Sequence, residues 1–244
     1  MSKAEITWLG HASIKVEANS KTVFFDPWIR DNPVCPVKIE QIKRADAICV
    51  THGHIDHIGD SIEIVKKTGA PLICSPEIGF YADKYGLKYD EKSTPLNIGG
   101  SWETKAFAIT MVNAVHTSDI MGEEWKKDGT IMPGSGSVGY VIEFREGPSI
   151  YYGGDTGVFG DMSIIRDLYS PDVAILPVGG KYNMGYREAG YAASLLHPKY
   201  FIPIHYDTFP NQKLDLNKLV EEIKVRAPHV TVVRWKPGDV FEYK

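Results

Sequence analysis

Cysteine is scarce in this 244-residue chain, which has only Cys35, Cys49 and Cys74 at unrelated spacings. Without a Cys-x-x-Cys pair, a zinc ribbon, a dithiol redox motif and a disulfide scaffold are excluded, and buried reduced thiols are expected. Long apolar runs are missing too. No stretch approaches the ~18 apolar residues of a membrane span, and residues 1–10 enter a strand-like run without the charged and apolar regions of a signal peptide. A cytoplasmic protein is expected. Positive charge is not in excess either: 27 Lys and Arg against 31 Asp and Glu leave a net charge of -4. This excludes nucleic acid and anionic membranes as general partners and leaves a small-molecule substrate, with homo-oligomerisation open. Linkers, charge blocks, low-complexity tracts and internal repeats are absent, so one domain over residues 1–244 is expected.

The material present is that of a packed α/β protein, with 43% hydrophobic and 11% aromatic residues. β-Branched and apolar runs predict strands over 6–9, 13–17, 22–25 and 47–51, an opening meander. Helical periodicity follows at 60–67 and 76–85, the latter opening on Pro76-Glu77. Strands are predicted at 106–114 and 137–144, separated by the polar segment 117–136, which is too long for a simple turn. Later strands at 149–152, 173–177, 201–204 and 230–234 alternate with helices near Ile164, at 187–196 and at 214–225. A two-sheet core with helices on its outer faces fits this order.

The chemistry is concentrated in Thr51-His52-Gly53-His54-Ile55-Asp56-His57, directly after an apolar strand. One histidine in a core is commonplace, but burying three imidazoles and a carboxylate together without a cation is costly. In an extended segment His52 and His54 point to one side, while Asp56 and His57 follow where the chain turns into a helix and address a second position. Four donors cannot close two coordination shells. Further donors follow other apolar runs: His116 after 111–115, Asp155 after 150–154 and His205 after 201–204. Strand ends along one edge are where α/β architectures build sites.

The ordered set His52-x-His54-x-Asp56-His57, His116, Asp155 and His205 resembles the metallo-β-lactamase superfamily across the whole chain. Gly10-His11-Ala12-Ser13, Phe25-Asp26-Pro27-Trp28 and the run Gly179-Gly180-Lys181-Tyr182-Asn183-Met184-Gly185 resemble its branch of small metal-dependent hydrolases and ascorbate-6-phosphate lactonases. Asn183 stands where a hydroxyl residue is expected in that branch. The resemblance implies a four-layer αββα sandwich with its site at one edge of the sheets. It also implies that His52, His54 and His116 hold one metal ion, Asp56, His57 and His205 a second, and that Asp155 bridges them.

Ligand chemistry gives a matching mechanism. Two divalent ions ~3.5–4 Å apart share a hydroxide, bring the pKa of its parent water toward ~7 and polarise the substrate oxygen, with Asp56 and Asp155 as the catalytic carboxylates. No Gly-x-Ser-x-Gly elbow supplies an alternative nucleophile. Imidazole and carboxylate donors suit Zn and equally accept Mn, Fe, Co or Ni. Two ions, two carboxylates and a hydroxide leave the centre at about +1, which with Lys181, Lys126 and Lys127 favours a small anionic ester, lactone, amide or phosphodiester.

Other residues carry two readings each. Asp26 either orients a ligand imidazole or caps the turn before Pro27, and His11 is either a pocket residue or a buried structural histidine. Lys181, Tyr182 and Asn183 either contact substrate or form a solvated turn. The segment 117–136, with Trp125, Lys126 and Lys127, is either a lid or a mobile loop. His197 and His229 fall outside every strand-end pattern. Three rival functions remain: a nuclease of the same superfamily, which needs a basic path, a di-iron redox protein, which needs a flavin or thiol partner, and a metal-binding protein without catalysis.

Overall fold

The computed structural model describes residues 4–244, in which two seven-stranded sheets face each other. The first sheet begins with β1 (Ala4–Trp8), β2 (Ile14–Ala18) and β3 (Lys21–Phe25), an antiparallel meander. Residues 4–8 alternate as period-2 geometry requires: Ala4, Ile6 and Trp8 are buried and the two between them half-buried. The fourth strand does not continue the meander that the sequence predicts. After a crossover, β4 (Ala47–Cys49) lies parallel to β3, followed by α1 (Ile55–Ile58) and α2 (Ser61–Thr68). The parallel strand β5 (Leu72–Cys74), the helix α3 (Pro76–Asp83) and the strand β6 (Ser93–Pro95) complete this edge.

The second sheet starts with β7 (Ser101–Glu103) and β8 (Phe107–Asn113). The segment 117–136 then crosses back with α4 (Glu123–Asp128), and β9 (Val138–Phe144) and β10 (Ser149–Tyr152) follow. From there the chain is α/β: α5 (Met162–Tyr169), β11 (Val173–Pro177), α6 (Tyr186–Leu196), β12 (Tyr200–Ile204), α7 (Leu216–Arg226) and β13 (Thr231–Val232). The last strand, β14 (Val240–Tyr243), returns to pair with β1 in the first sheet. All five residues of β11 are buried, as expected for a parallel strand covered on both faces.

One apolar cluster joins the facing sides of the two sheets and extends under α5, α6 and α7, and another lies beneath α2 and α3 on the outer side of the first sheet. This is the αββα sandwich that the resemblance implied. Direction matters for the site. β1, β3 and β4 run one way in the first sheet, and β8, β10, β11 and β12 run one way in the second. Their C-terminal ends therefore meet along a single edge. Among the described residues, no helix is long and apolar enough to cross a membrane.

Candidate metal centre

Every donor singled out in the sequence follows the C-terminal end of one of those strands. His52 and His54 leave β4, Asp56 and His57 occupy α1, and His116, Asp155 and His205 follow β8, β10 and β12. One ligand atom each of His52, His54 and His116 lies within 4.8 Å of the others, and the same holds for His57, Asp155 and His205. Asp155 Oδ2 stands between the groups, 3.5 Å from His57 Nε2, 3.3 Å from His205 Nε2 and 3.6 Å from His116 Nε2. Asp56 Oδ2 is 3.8 Å from His57 Nε2 and 3.6 Å from His205 Nε2. All seven side chains are brought together.

Asp26 organises the rings from behind. It follows β3 with a left-handed φ of 44° and is fully buried. Its Oδ1 accepts from the Thr51 amide at 2.7 Å, and its Oδ2 accepts from Thr51 Oγ1 at 2.6 Å and from Tyr152 Oη at 2.9 Å. His57 Nδ1 lies 2.7 Å from the same Oδ2, which holds the proton on Nδ1 and turns Nε2 inward. Thr51 Oγ1 is also 3.0 Å from His52 Nδ1. Asp26 thus spends its acceptor capacity on neighbours that carry or flank donor residues.

His11 does not line the cleft. It is buried beside Trp28, tilted against the His205 ring at a centroid distance of 3.7 Å. Its Nε2 lies 2.8 Å from Asp56 Oδ2 and its Nδ1 2.9 Å from Thr208 Oγ1, so it ties a donor carboxylate to the loop after His205. His11, Asp56 and His205 form another group with ligand atoms within 4.8 Å.

The electrostatics reflect crowded charge in a dry setting. Burial alone would push His57 down, but Asp155, Asp56 and Asp26 prevail and hold it well above its ordinary value. His205 behaves alike: burial opposes protonation, Asp155 outweighs it, and the pKa rises to about 9. Burial would raise Asp155, yet His205 and His57 hold it well below the carboxylate range. Burial also dominates at His52, His54 and His116, all lowered, and at His11, lowered to about 4 with help from His205. Two atoms stand out: the buried Nε2 of His57 and of His205 have no hydrogen-bond partner, although both approach Asp155. Orphaned, converging imidazole nitrogens beside two carboxylates fit a divalent cation better than any proton arrangement.

A cleft of about 760 Å³ opens over this centre, lined by donor residues together with Ile55, Thr117, Met121, Tyr182, Phe209, Pro210, Asn211 and Gln212. Lys181, Lys126 and Lys127 do not line it. Lys181 Nζ sits 5.0 Å from the centre of the Tyr182 ring, and Lys126 pairs with Asp31 at 3.2 Å and Glu123 at 3.7 Å. Asn183 turns inward: its Oδ1 accepts from the Gly179 amide at 2.8 Å, and its Nδ2 approaches Asp155 Oδ1 at 3.4 Å. His197 and His229 pair with each other on the surface, ring centroids 4.8 Å apart.

The segment 117–136 packs down over the His-rich loop. Met121 donates its amide to the Gly53 carbonyl at 2.7 Å, the Gly53 amide donates to Ser118 Oγ at 3.1 Å, and Ile120 is buried. A Cβ on Gly53 would meet the Asp119 carbonyl oxygen at 2.7 Å, so only glycine separates His52 from His54 here. Sequence reasoning missed Thr51, Tyr152, Thr208, Phe209 and Gln212. The hydroxyl beside His52 was a readable signal; Tyr152 was hidden in an apolar strand, and the loop at 207–212 carried no motif.

Comparisons with known proteins give the family of this fold. The profile of the beta-lactamase superfamily domain matches residues 21–206. UPF0173 metal-dependent hydrolases of Koribacter versatilis and Methanopyrus kandleri are 40% and 41% identical; each alignment covers 97% of this chain, and 97% and 99% of the respective relative. The solved structure of Igni18, a metallo hydrolase from Ignicoccus hospitalis, is 31% identical with a TM-score of 0.82 over 99% of both chains. The strand-end donors thus belong to a fold and a sequence family already tied to metal, and the chain is a member of the UPF0173 metal-dependent hydrolases of the beta-lactamase superfamily.

Proposed function

We propose that the protein hydrolyses a small ester, lactone, amide or phosphodiester with two divalent ions, His52, His54 and His116 holding one, Asp56, His57 and His205 the other, and Asp155 both. The observation that carries this reading is the pair of buried Nε2 atoms on His57 and His205, which have no hydrogen-bond partner and converge on Asp155 Oδ2. When bound, two such ions would supply an activated water as nucleophile near neutral pH and an electrophile for the substrate oxygen. The chain's own part is positioning. Asp26 fixes the ring of His57, His11 fixes Asp56, and the walls of the cleft hold the substrate over the centre. Imidazole and carboxylate donors suit Zn, with Mn, Fe, Co or Ni as alternatives.

A cleft of about 760 Å³ suits a small molecule. Among the described residues lining it, none is a lysine or arginine, which counts against a nuclease. Lys181, Lys126 and Lys127, expected to draw in an anionic substrate, all lie outside this lining. The motifs around His11 and Asp26 support a lactone within the class, as in the ascorbate-6-phosphate lactonases, while Asn183 is engaged with Gly179 and Asp155. The free thiols of Cys35, Cys49 and Cys74 support a cytoplasmic setting.

Elemental analysis of untagged protein, paired with an ester, lactone, amide and phosphodiester panel before and after chelation, tests the reading. Close to two ions per chain and hydrolysis that vanishes on chelation and returns with metal are expected. One ion at every metal supply would sink the dinuclear centre, and two ions without turnover would sink the hydrolase.

A further inference from the structure

The cleft over the metal centre has an apolar side. Ile55, Met121, Tyr182, Phe209 and Pro210 line it, and they come from four separate parts of the chain. Phe209 is 40% and Tyr182 52% exposed, large aromatic surfaces left to water at the mouth of a concave site. Singly exposed apolar residues are ordinary, whereas apolar surface gathered around one cleft marks a binding surface. The Phe209 ring is also set in place: it packs edge-on to His11 at 5.7 Å and lies 6.4 Å from Trp28, both buried. The polar groups that accompany this wall, Thr117, Asn211 and Gln212, are neutral.

The wall itself carries no charged side chain. Lys126 is engaged with Asp31 and Glu123, and Lys181 stacks over the Tyr182 ring, leaving both outside the lining. A substrate whose non-reacting part carried a phosphate or carboxylate would have to desolvate it against Phe209, Tyr182 and Met121 with no cationic side chain among the lining residues in return, Lys181 being held over the Tyr182 ring. A neutral aromatic or branched aliphatic group loses nothing by entering and gains the burial.

We propose that the substrate of this hydrolase carries a neutral apolar body, aromatic or branched aliphatic, which seats against Phe209, Tyr182 and Met121 while its ester or related bond lies over the metal centre. The assignment rests on the hydrolase reading but concerns the side of the cleft away from the reacting bond. In an ester, the oxygen of water bonds to the carbonyl carbon, and the carbon–alkoxide bond breaks with its electron pair passing to the alkoxide oxygen. That oxygen takes up a proton and leaves as the alcohol. The acyl side chain takes no part in this exchange, so its effect on rate reports the wall alone.

The test uses the metal-loaded full chain and three methyl esters followed by proton release: methyl phenylacetate, methyl acetate and monomethyl malonate. We expect kcat/KM for the phenylacetyl ester to exceed the acetyl ester by about tenfold or more, the scale of burying one aromatic group, and the anionic malonyl ester to be slowest. Phe209→Ala and Tyr182→Ala should each draw the phenylacetyl-to-acetyl ratio toward one; because the ratio is internal to each preparation, lost folding or metal cancels. Calorimetric binding of phenylacetohydroxamate against acetohydroxamate gives the same comparison without turnover, and about tenfold tighter binding of the aromatic member is expected. Equal rates and equal binding, or a preference for malonyl, would overturn the apolar wall while leaving the hydrolase standing. An aromatic preference in binding with none of the esters turned over would uphold the wall and remove only the ester from the bonds this hydrolase cleaves.

Discussion

Asp26 shows how much a single carboxylate beside the candidate donors can determine. Its two oxygens accept from the Thr51 amide, the Thr51 hydroxyl and the Tyr152 hydroxyl, and Oδ2 also holds His57 Nδ1. An asparagine of the same shape keeps one acceptor oxygen and turns the other into a donor, which faces the N–H of His57 or Thr51. Asp26→Asn should therefore lower metal affinity about 10- to 100-fold, the usual cost of losing a carboxylate behind a ligand imidazole, as read by competition with a chromogenic chelator. An unchanged affinity would reduce Asp26 to a turn residue. Asp155 is a different case, because its Oδ2 faces His57, His205 and His116 together. At matched metal occupancy, Asp155→Ala should lose more hydrolytic activity than His57→Ala, and equal losses would argue against a shared ligand. The seven candidate donors were readable because His52, His116, Asp155 and His205 each follow an apolar run and His54, Asp56 and His57 crowd behind the first of them. His11 was readable as a residue but not as a role, since only the fold reveals that Asp56 stands on one side of its ring and Thr208 on the other.

Secondary structure was legible in proportion to its periodicity. β11 has the boundaries that its apolar run predicts, and α2, α3, α6 and α7 begin within two residues of where their patterns start. The short strands β5, β6 and β7 span three residues each, too few for any alternation to register, and β14 finds its place only by pairing with β1 at the far end of the chain. The pairing of β4 was unreadable for a related reason: an apolar strand looks alike whether it continues a meander or returns parallel after a crossover. Segment 117–136 was legible only as long and polar, because what orders it is tertiary: two hydrogen bonds to Gly53 and the burial of Ile120. That contact yields a prediction for the element. Gly53→Ala inserts a Cβ 2.7 Å from the Asp119 carbonyl, overpacking that costs about 1–3 kcal/mol. At ~2–4 °C per kcal/mol for a chain of this size, the melting temperature should fall by roughly 2–12 °C, with protease cleavage appearing first between residues 117 and 136. A variant as stable as the parent would mean that the segment is not anchored by this glycine.

At the scale of the whole molecule, the site is a store of opposed charges in a core that would otherwise be apolar, and its protons tie metal binding to stability. The sign can be worked out from His205 and Asp155. The pKa of His205 rises to about 9 in the fold from an ordinary value of 6.5, so its contribution to the stability of metal-free protein is complete below about 6.5 and lost as pH rises through 9. That of Asp155 is depressed well below 3.8, so its contribution is complete above that value and lost as pH falls through the depressed pKa. Metal-free protein should thus be favoured by this pair most fully between pH 3.8 and 6.5. A divalent ion competes with the protons on His57 and His205, because a ligating imidazole must be neutral. Metal uptake should therefore release protons at pH 7, and affinity should climb as pH rises through the His205 pKa of about 9. Calorimetric titration in buffers of different ionisation enthalpy measures the protons released, and melting curves from pH 6 to 10 measure the stability. The melting temperature of metal-free protein should decline across that range while that of loaded protein holds, since ions replace protons as the counter-charge to Asp56 and Asp155. Uptake without proton release would show that His57 and His205 are neutral before metal arrives, and the two carboxylates would then need another source of balancing charge within the core.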